Sequence, residues 1–207
     1  MKAWHFVNDT LRDGSPVPQD GEKLVFTGEP ILCEQGYHAS ILPWDALRYA
    51  PGNILCRVEC GGTLIKGNDK LVCTERTIIR RIDATKMLQY FARMQALAVI
   101  HLYPNGTDDV VFDFLMTGEN AKAAYASAAA ATYAAHAAYA AEAAAYAYAN
   151  ASAAHPYIYS TAASYAASAA YAASASASTA YATYAAYAAY AAVGNDFNQL
   201  VYENFGE

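Results

Sequence analysis

The stretch Ala180-Tyr-Ala-Thr-Tyr-Ala-Ala-Tyr-Ala-Ala-Tyr-Ala-Ala192 is the clearest part of a long segment built mostly from two residue types. Between residues 121 and 193, 40 of the 73 positions are Ala and 13 are Tyr, and only Lys122 and Glu142 carry a full charge. Alanine favours the helix because its side chain loses no rotamer entropy there. We therefore predict that this segment is helical and that the rest of the chain is arranged around it.

One interior proline and one glycine divide the segment. Pro156 lacks an N–H group and disfavours helix at the residue before it, so we predict two helices, about 119–150 and 160–193. A short connection between them favours an antiparallel pair. We expect Gly194 to end the second helix and Asn195 to cap a last helix that folds back on the packed helices.

The tyrosines at three-residue intervals form a candidate assembly surface, comprising Tyr181, Tyr184, Tyr187 and Tyr190. On a helix with 3.6 residues per turn this row drifts around the surface, so the four rings cannot all face one neighbour. Two packing arrangements fit the low charge. Either the helices pack on each other and on the N-terminal domain, or they also pack on further copies of the chain or on a protein partner.

Composition excludes several classes of protein. The net charge of −6 and the lack of a Lys/Arg cluster argue against a nucleic-acid partner. Polar residues interrupt every long apolar run and basic flanks are missing, so we expect no membrane span. The first residues contain no apolar signal-peptide core, which predicts a cytoplasmic protein. No phosphate-binding loop or dinucleotide fingerprint is present, and we expect no cofactor.

The four cysteines all lie in the first part of the chain, at Cys33, Cys56, Cys60 and Cys73. None forms a C-x-x-C pair, and a strand through 54–60 places Cys56 and Cys60 on one face. Buried free thiols are the preferred interpretation. A zinc site completed by His5 or His38, or disulfides, are the alternatives.

The hydrophobic pattern predicts an α+β chain with four parts: a small α+β domain over 1–82, connecting helices over 83–118, the Ala/Tyr-rich helical module over 119–193, and a capping helix over 194–207. Turn residues such as Gly61-Gly62 separate short runs that read as strands. The predicted strands are 3–7, 23–27, 31–33, 54–60, 63–66, 71–73 and 77–82. Predicted helices are 43–50, capped by Ser40, a helix from Asp83 to about 101, and a short one ending near 116.

Several motifs resemble an uncharacterised family of bacterial and phage proteins that join such a domain to an alanine-rich tail. The segments that carry this resemblance are Trp4-His-Phe-Val7, Leu11-Arg-Asp-Gly14, Cys33-Glu-Gln-Gly-Tyr-His-Ala-Ser40, Asp45-Ala-Leu-Arg-Tyr-Ala-Pro-Gly52, Leu55-Cys-Arg-Val-Glu59 and Thr74-Glu-Arg-Thr77. The resemblance implies a phage or bacterial origin and a domain boundary, but no activity.

A second, distant resemblance covers residues 3–80. The order of a Gly36-Tyr-His-Ala-Ser40 segment, a helix ending in Tyr49 and the strand from Leu55 is similar to ADP-ribosyltransferase-like domains. That resemblance implies NAD as ligand. It also implies His5, His38 and Glu75 as catalytic residues, and Tyr37, Ser40 and Arg48 as ligand-binding residues. This chain lacks the R-S-E and Glu-x-Glu patterns of those enzymes.

Two functions follow from these patterns. The first is a non-enzymatic binding or assembly protein whose Ala/Tyr-rich helices mediate self-association or docking of a protein partner. The alternative is an ADP-ribosyltransferase-like, NAD-binding effector of defence or counter-defence, in which the helical tail positions the first domain.

Overall fold

The computed structural model describes residues 1–11, 13–98, 100, 109–124 and 179–207, with the backbone alone described over 179–189. The chain divides into two compact units, Met1–Thr85 and Lys86–Glu207. The predicted helices at 119–150 and 160–193, and the break at Pro156, fall mostly outside the described residues.

The first unit is built on an antiparallel sheet of five strands. The strands are β1 (Lys2–Val7), β2 (Lys23–Val25), β3 (Tyr37–Ala39), β4 (Ile54–Lys66) and β5 (Leu71–Asp83). The order along the sheet is β1-β4-β5-β2, and β3 pairs with another part of β5. A sheet followed by helices confirms the predicted α+β class.

The β4–β5 hairpin is longer than the sequence pattern indicated. We predicted turns at Gly61-Gly62 and between residues 73 and 77, but both strands run without interruption for 13 residues. Gly62 adopts φ +67°, and the register shifts between Gly61 and Leu64. The two glycines form a bulge that the paired strands absorb, and the actual turn joins Gly67 to Lys70 by a 2.8 Å hydrogen bond.

Strand β3 was not predicted. It pairs with β5, and the residue after it bonds to β1. Tyr37–Ala39 pairs with β5, and the next residue, Ser40, exchanges backbone hydrogen bonds of 2.7 and 2.8 Å with Trp4 of β1. The predicted strand over 31–33 is wrong: this segment is a turn that a single bridge between Ile31 and Gln35 closes. Three residues are too few for an alternating pattern to reveal a strand.

Four named helices complete the described fold: α1 (Pro43–Leu47), α2 (Thr85–Ala98), α3 (Asp109–Thr117) and α4 (Thr179–Phe205). Helix α1 is shorter than predicted, and its N-cap is Leu42 without a side-chain hydrogen bond, so Ser40 does not cap it. In the second unit, Arg93 Nη1 of α2 donates a 2.9 Å hydrogen bond to Leu115 O of α3.

The predicted break at Gly194 is wrong, because α4 continues through it to Phe205. A glycine inside a helix costs only about 1 kcal/mol relative to alanine. The helix gains more by burying the row Val193, Phe197, Val201 and Phe205, which are spaced four residues apart on one face. The expected separate capping helix over 194–207 is therefore the end of α4.

Buried side chains fill both units. The largest in the first unit are Trp4, Phe6, Leu47, Leu55, Leu71 and Ile78, and in the second Leu88, Phe114, Leu115 and Phe197. Within the described part of the chain, no helix has the length and apolarity needed to cross a membrane.

Candidate ligand-binding cavity

A cavity of about 680 Å³ opens in the first unit. Its lining comes from β1, from the loops before β2 and β3, from β3, from α1 and the residues after it, from the turn before β5 and from the middle of β5. They are Trp4, His5, Leu11, Asp13, Cys33, Glu34, Gln35, Gly36, Tyr37, His38, Ala39, Ser40, Ala46, Tyr49, Lys70 and Arg76. The volume lies within the range typical of small-molecule sites.

The loop before β3 forms one wall, and His38 shapes it. His38 Nε2 accepts a 2.8 Å hydrogen bond from the backbone N–H of Cys33, and Nδ1 lies 3.2 Å from Gly36 O. Because a backbone N–H is always a donor, Nε2 is the acceptor and Nδ1 carries the proton. Both ring nitrogens therefore hold the loop, including Cys33 at the unusual φ of +71°.

Gly36 allows the same loop to approach β5 closely. Its φ is +99°, and a Cβ at this position would lie 2.7 Å from Val72 Cγ2. A side chain would therefore be strained in conformation and would also overlap β5. The Gly-Tyr-His segment that the sequence singled out is a tight connection that places Tyr37 and His38 at the cavity.

His5 comes from the middle of β1 and lines the same cavity. Desolvation by burial lowers the pKa of His5 well below its ordinary value, and the positive charge of Arg76 and the proximity of His38 lower it further. The imidazole is therefore neutral at pH 7 and offers one hydrogen-bond donor and one acceptor.

Arg76 is a buried, charged lining residue that the sequence analysis missed. Its side chain is only 4% exposed, and Nη1 donates a 2.8 Å hydrogen bond to His38 O. The guanidinium carbon lies 5.2 Å from the centroid of the Tyr37 ring, and Nε has no hydrogen-bond partner among the described residues. Desolvation lowers the pKa of Arg76 from its ordinary value, but a guanidinium keeps its proton in proteins.

Glu75, the predicted catalytic acid, does not line the cavity. Successive side chains of a strand point to opposite faces, so the placement of Arg76 in the cavity directs Glu75 to the other face. There Glu75 Oε2 lies 2.6 Å from Lys23 Nζ of the paired strand β2.

Arg48 is likewise outside the cavity. It follows α1 and forms an ion pair with Asp69, with Nη1 3.2 Å from Oδ2. The same carboxylate accepts a 2.5 Å hydrogen bond from the hydroxyl of Tyr49, whose ring lies 4.0 Å from Lys70 Nζ. Tyr49 and Lys70, rather than Arg48, are the residues of this cluster that line the cavity.

The cysteines are free, and three are buried as expected, but Cys33 is exposed. It was predicted as buried because the segment read as a strand, whereas it lies in a turn. Burial raises the pKa of the Cys56 thiol to about 11. Among the described residues, no group of three or more His, Cys, Asp or Glu side chains is arranged to hold a metal ion.

The predicted assembly tyrosines all lie on α4. The side chains of Tyr181, Tyr184 and Tyr187 fall outside the described residues, and Tyr190 is 36% exposed. Their role in assembly stays a prediction.

Comparison with known protein families gives a match that covers the first unit and the start of the second. Residues 1–90 match the model of a domain of unknown function, DUF7666. This match confirms the expected resemblance to an uncharacterised domain family and covers less than half of the 207-residue chain. No curated protein and no solved structure matches the chain.

The structure thus brings together four of the six residues predicted for the first unit's site: His5, Tyr37, His38 and Ser40. The chemistry of the lining suits binding. It combines an aromatic ring, a neutral imidazole and a buried guanidinium, which together provide stacking, neutral hydrogen bonds and positive charge.

Proposed function

We propose that the protein is a non-enzymatic binding protein whose first unit holds a small organic ligand in the cavity. The observation that carries this proposal is the convergence of His5, Tyr37 and Arg76, which lie far apart in the sequence, on one cavity of about 680 Å³. Pockets of this size with a few convergent polar groups are the usual sites for small ligands.

The state of His38 and Glu75, two of the three predicted catalytic residues, favours binding over catalysis. Both ring nitrogens of His38 hold the loop, so neither is available as a general base without opening that loop. Glu75 lies on the opposite strand face and is paired with Lys23. The NAD-binding effector remains the second candidate, because His5 and Tyr37 occupy the cavity in the way that its resemblance implies.

A ligand screen on the full chain tests the proposal. Thermal unfolding would be followed with NAD, ADP-ribose, nicotinamide, aromatic carboxylates and neutral aromatic compounds, each up to millimolar concentration. We expect at least one class to raise the unfolding temperature saturably, because binding to the folded state alone stabilises it. Tyr37→Ala should remove that shift, and Tyr90→Ala, an exposed tyrosine of α2, should retain it.

The outcomes separate the two candidates. Failure of every class to shift the transition, or a shift that Tyr37→Ala leaves intact, contradicts a binding cavity. Nicotinamide release from NAD that Glu75→Gln abolishes would support the enzyme instead.

For the helical part, we propose self-association or docking of a protein partner, in the cytoplasm of the host cell or in a phage particle. The composition of residues 121–193 supports this, since charged positions are nearly absent. Light scattering on the full chain should show a defined oligomer, and a monomer at high concentration contradicts self-association.

A further inference from the structure

We propose that the ligand of this cavity carries an oxyanion, either a carboxylate or a phosphate, which binds the guanidinium of Arg76. This inference rests on the proposed function, since it assumes that the cavity is a binding site. It adds the chemical class of the ligand and the residue that selects it.

The charge of Arg76 is buried without compensation. Taking a charged group out of water costs several kcal/mol, and proteins normally offset that cost with an ion pair. No carboxylate among the described residues forms an ion pair with Arg76. The 2.8 Å hydrogen bond to His38 O satisfies one N–H group but supplies no negative charge.

The cysteines near Arg76 do not supply that charge either. Burial raises the pKa of Cys56, and a hydrogen bond to Cys73 together with burial raises the pKa of Cys60, so both are neutral thiols at pH 7. The hydrogen bond with Cys60 lowers the pKa of Cys73, and the charge of Arg76 lowers it further. Cys73 Sγ nevertheless donates a 3.3 Å hydrogen bond to Tyr37 O, and this bond requires the protonated, neutral thiol.

The guanidinium has hydrogen-bonding capacity left for a ligand. Nη1 donates to His38 O, and apart from this bond the Arg76 side chain makes no hydrogen bond or ion pair among the described residues. Because Arg76 lines the cavity, a bound acceptor there would supply the missing partner. Carboxylates and phosphates match the planar fork of a guanidinium and accept two hydrogen bonds from one edge.

The surroundings favour an anion that is attached to a flat ring. The Tyr37 ring lies beside the guanidinium and offers a surface for stacking. His5 is neutral, so it neither attracts nor repels an anion by charge and can still donate a hydrogen bond to it. Lys70 adds a second positive charge to the lining. Asp13 and Glu34 also line the cavity, but both are exposed, and water and salt screen their repulsion.

A structural role alone does not account for Arg76. A neutral donor would satisfy His38 O without the desolvation cost of a full charge. If Arg76 serves a ligand, its removal should leave the stability of the empty protein unchanged or higher, as is common at sites where function opposes stability. If Arg76 serves the fold, its removal should destabilise the protein.

The experiment titrates the full chain with three probes by calorimetry: inorganic pyrophosphate, benzoate and benzamide. Pyrophosphate and benzoate represent the two sources of an oxyanion, and benzamide is the neutral counterpart of benzoate. The variants are Arg76→Gln and the matched control Arg80→Gln, an exposed arginine of the same strand that does not line the cavity.

We expect at least one anion to bind the wild type and Arg80→Gln, and to bind Arg76→Gln about 10- to 100-fold more weakly, the range for losing a charge-assisted hydrogen bond. Stronger binding of benzoate than benzamide points to a carboxylate ligand, and binding of pyrophosphate alone points to a phosphate. Anion binding that Arg76→Gln leaves unchanged overturns the inference.

Two further results keep the outcomes distinct. If benzamide or another neutral compound binds in a Tyr37-dependent way while no anion does, the inference fails and the proposed function stands. If no compound of any class binds, both fail. Should Arg76→Gln not fold, a nitrogen-15 spectrum of the wild type replaces the calorimetry of that variant. The signal followed is the Nε–H of Arg76, assigned by its absence from the spectrum of Arg76→Lys. It should shift on anion addition, and an unchanged signal overturns the inference.

Discussion

Strand β5 and helix α4 each bury one regular row of side chains, and the two rows differ in content. On α4 the large residues of the row are apolar, from Val193 to Phe205. On β5, Ile78 and Arg76 occupy alternate positions of the same buried face. Apolar packing explains the first row completely. The second contains a charge that packing does not explain, which is why we propose that a ligand binds there.

The largest expected effect tests the apolar row. Phe197 is fully buried, and its ring meets that of Phe91 edge-on, with centroids 5.0 Å apart and an interplanar angle of 60°. Phe197→Ala should lower the free energy of unfolding by about 3–5 kcal/mol, through lost burial and the cavity left behind. Urea unfolding of the full chain measures this.

Gln199→Ala is the control on the same helix. Gln199 is exposed, and its side-chain amide donates a 3.0 Å hydrogen bond to Glu203 one turn away, so its loss should cost less than about 0.5 kcal/mol. Similar costs for the two variants would show that the buried row of α4 does not stabilise the second unit.

A smaller effect tests how β5 is held against β4. Gly62 has φ +67°, and an added Cβ would overlap Thr74 Oγ1, so the Thr74 hydroxyl would have to leave the hydrogen bond that it accepts from the backbone N–H of Thr63. Gly62→Ala should cost about 2–4 kcal/mol, from backbone strain and overpacking together. Thermal unfolding of the full chain would detect this loss.

Gly14→Ala provides the comparison, since Gly14 has a similar φ of +83° and nothing within 4 Å of the added Cβ. It isolates the conformational cost, about 1 kcal/mol. Equal losses of stability for Gly62→Ala and Gly14→Ala would mean that the bulge accommodates the added Cβ without cost and that the β4–β5 register is not rigid.

The smallest effect concerns pH and the polar lining. The pKa of His5 is lowered in the folded protein, mainly by desolvation, so the unfolded chain binds a proton more readily below its ordinary pKa of about 6.5. The contribution of His5 to the free energy of unfolding is therefore fully present above its unfolded pKa of about 6.5, and it decreases as the pH falls towards the folded pKa. Between pH 7.5 and 5.5 the loss from His5 is at most about 1.4 kcal/mol, the limit for an imidazole that stays neutral in the folded protein over this range.

His5→Gln should reduce this pH dependence, because glutamine does not titrate, and unfolding curves at several pH values would show it. A dependence equal to that of the wild type would mean that His5 is accessible to water and is protonated in the folded state.

Part of the candidate site was predictable from the sequence. The resemblance to ADP-ribosyltransferase-like domains predicted His5 and the Gly36-Tyr-His-Ala-Ser40 segment as site residues, and these residues line one cavity. The same resemblance predicted Glu75, whereas its neighbour Arg76 lines the site. A choice between adjacent residues of a strand depends on which face is buried, and no local pattern around residue 75 reveals that.

The sequence by itself determined the α+β class and the approximate positions of α1, α2 and α3, because these depend on local propensity and on periods of two or 3.6 residues. Only the tertiary structure decided that β4 and β5 run unbroken, that β3 reaches β1 at Trp4, and that Arg76 is buried without a counter-charge. Those features depend on residues distant in the chain, whose pairing and desolvation arise only when the sheet is assembled.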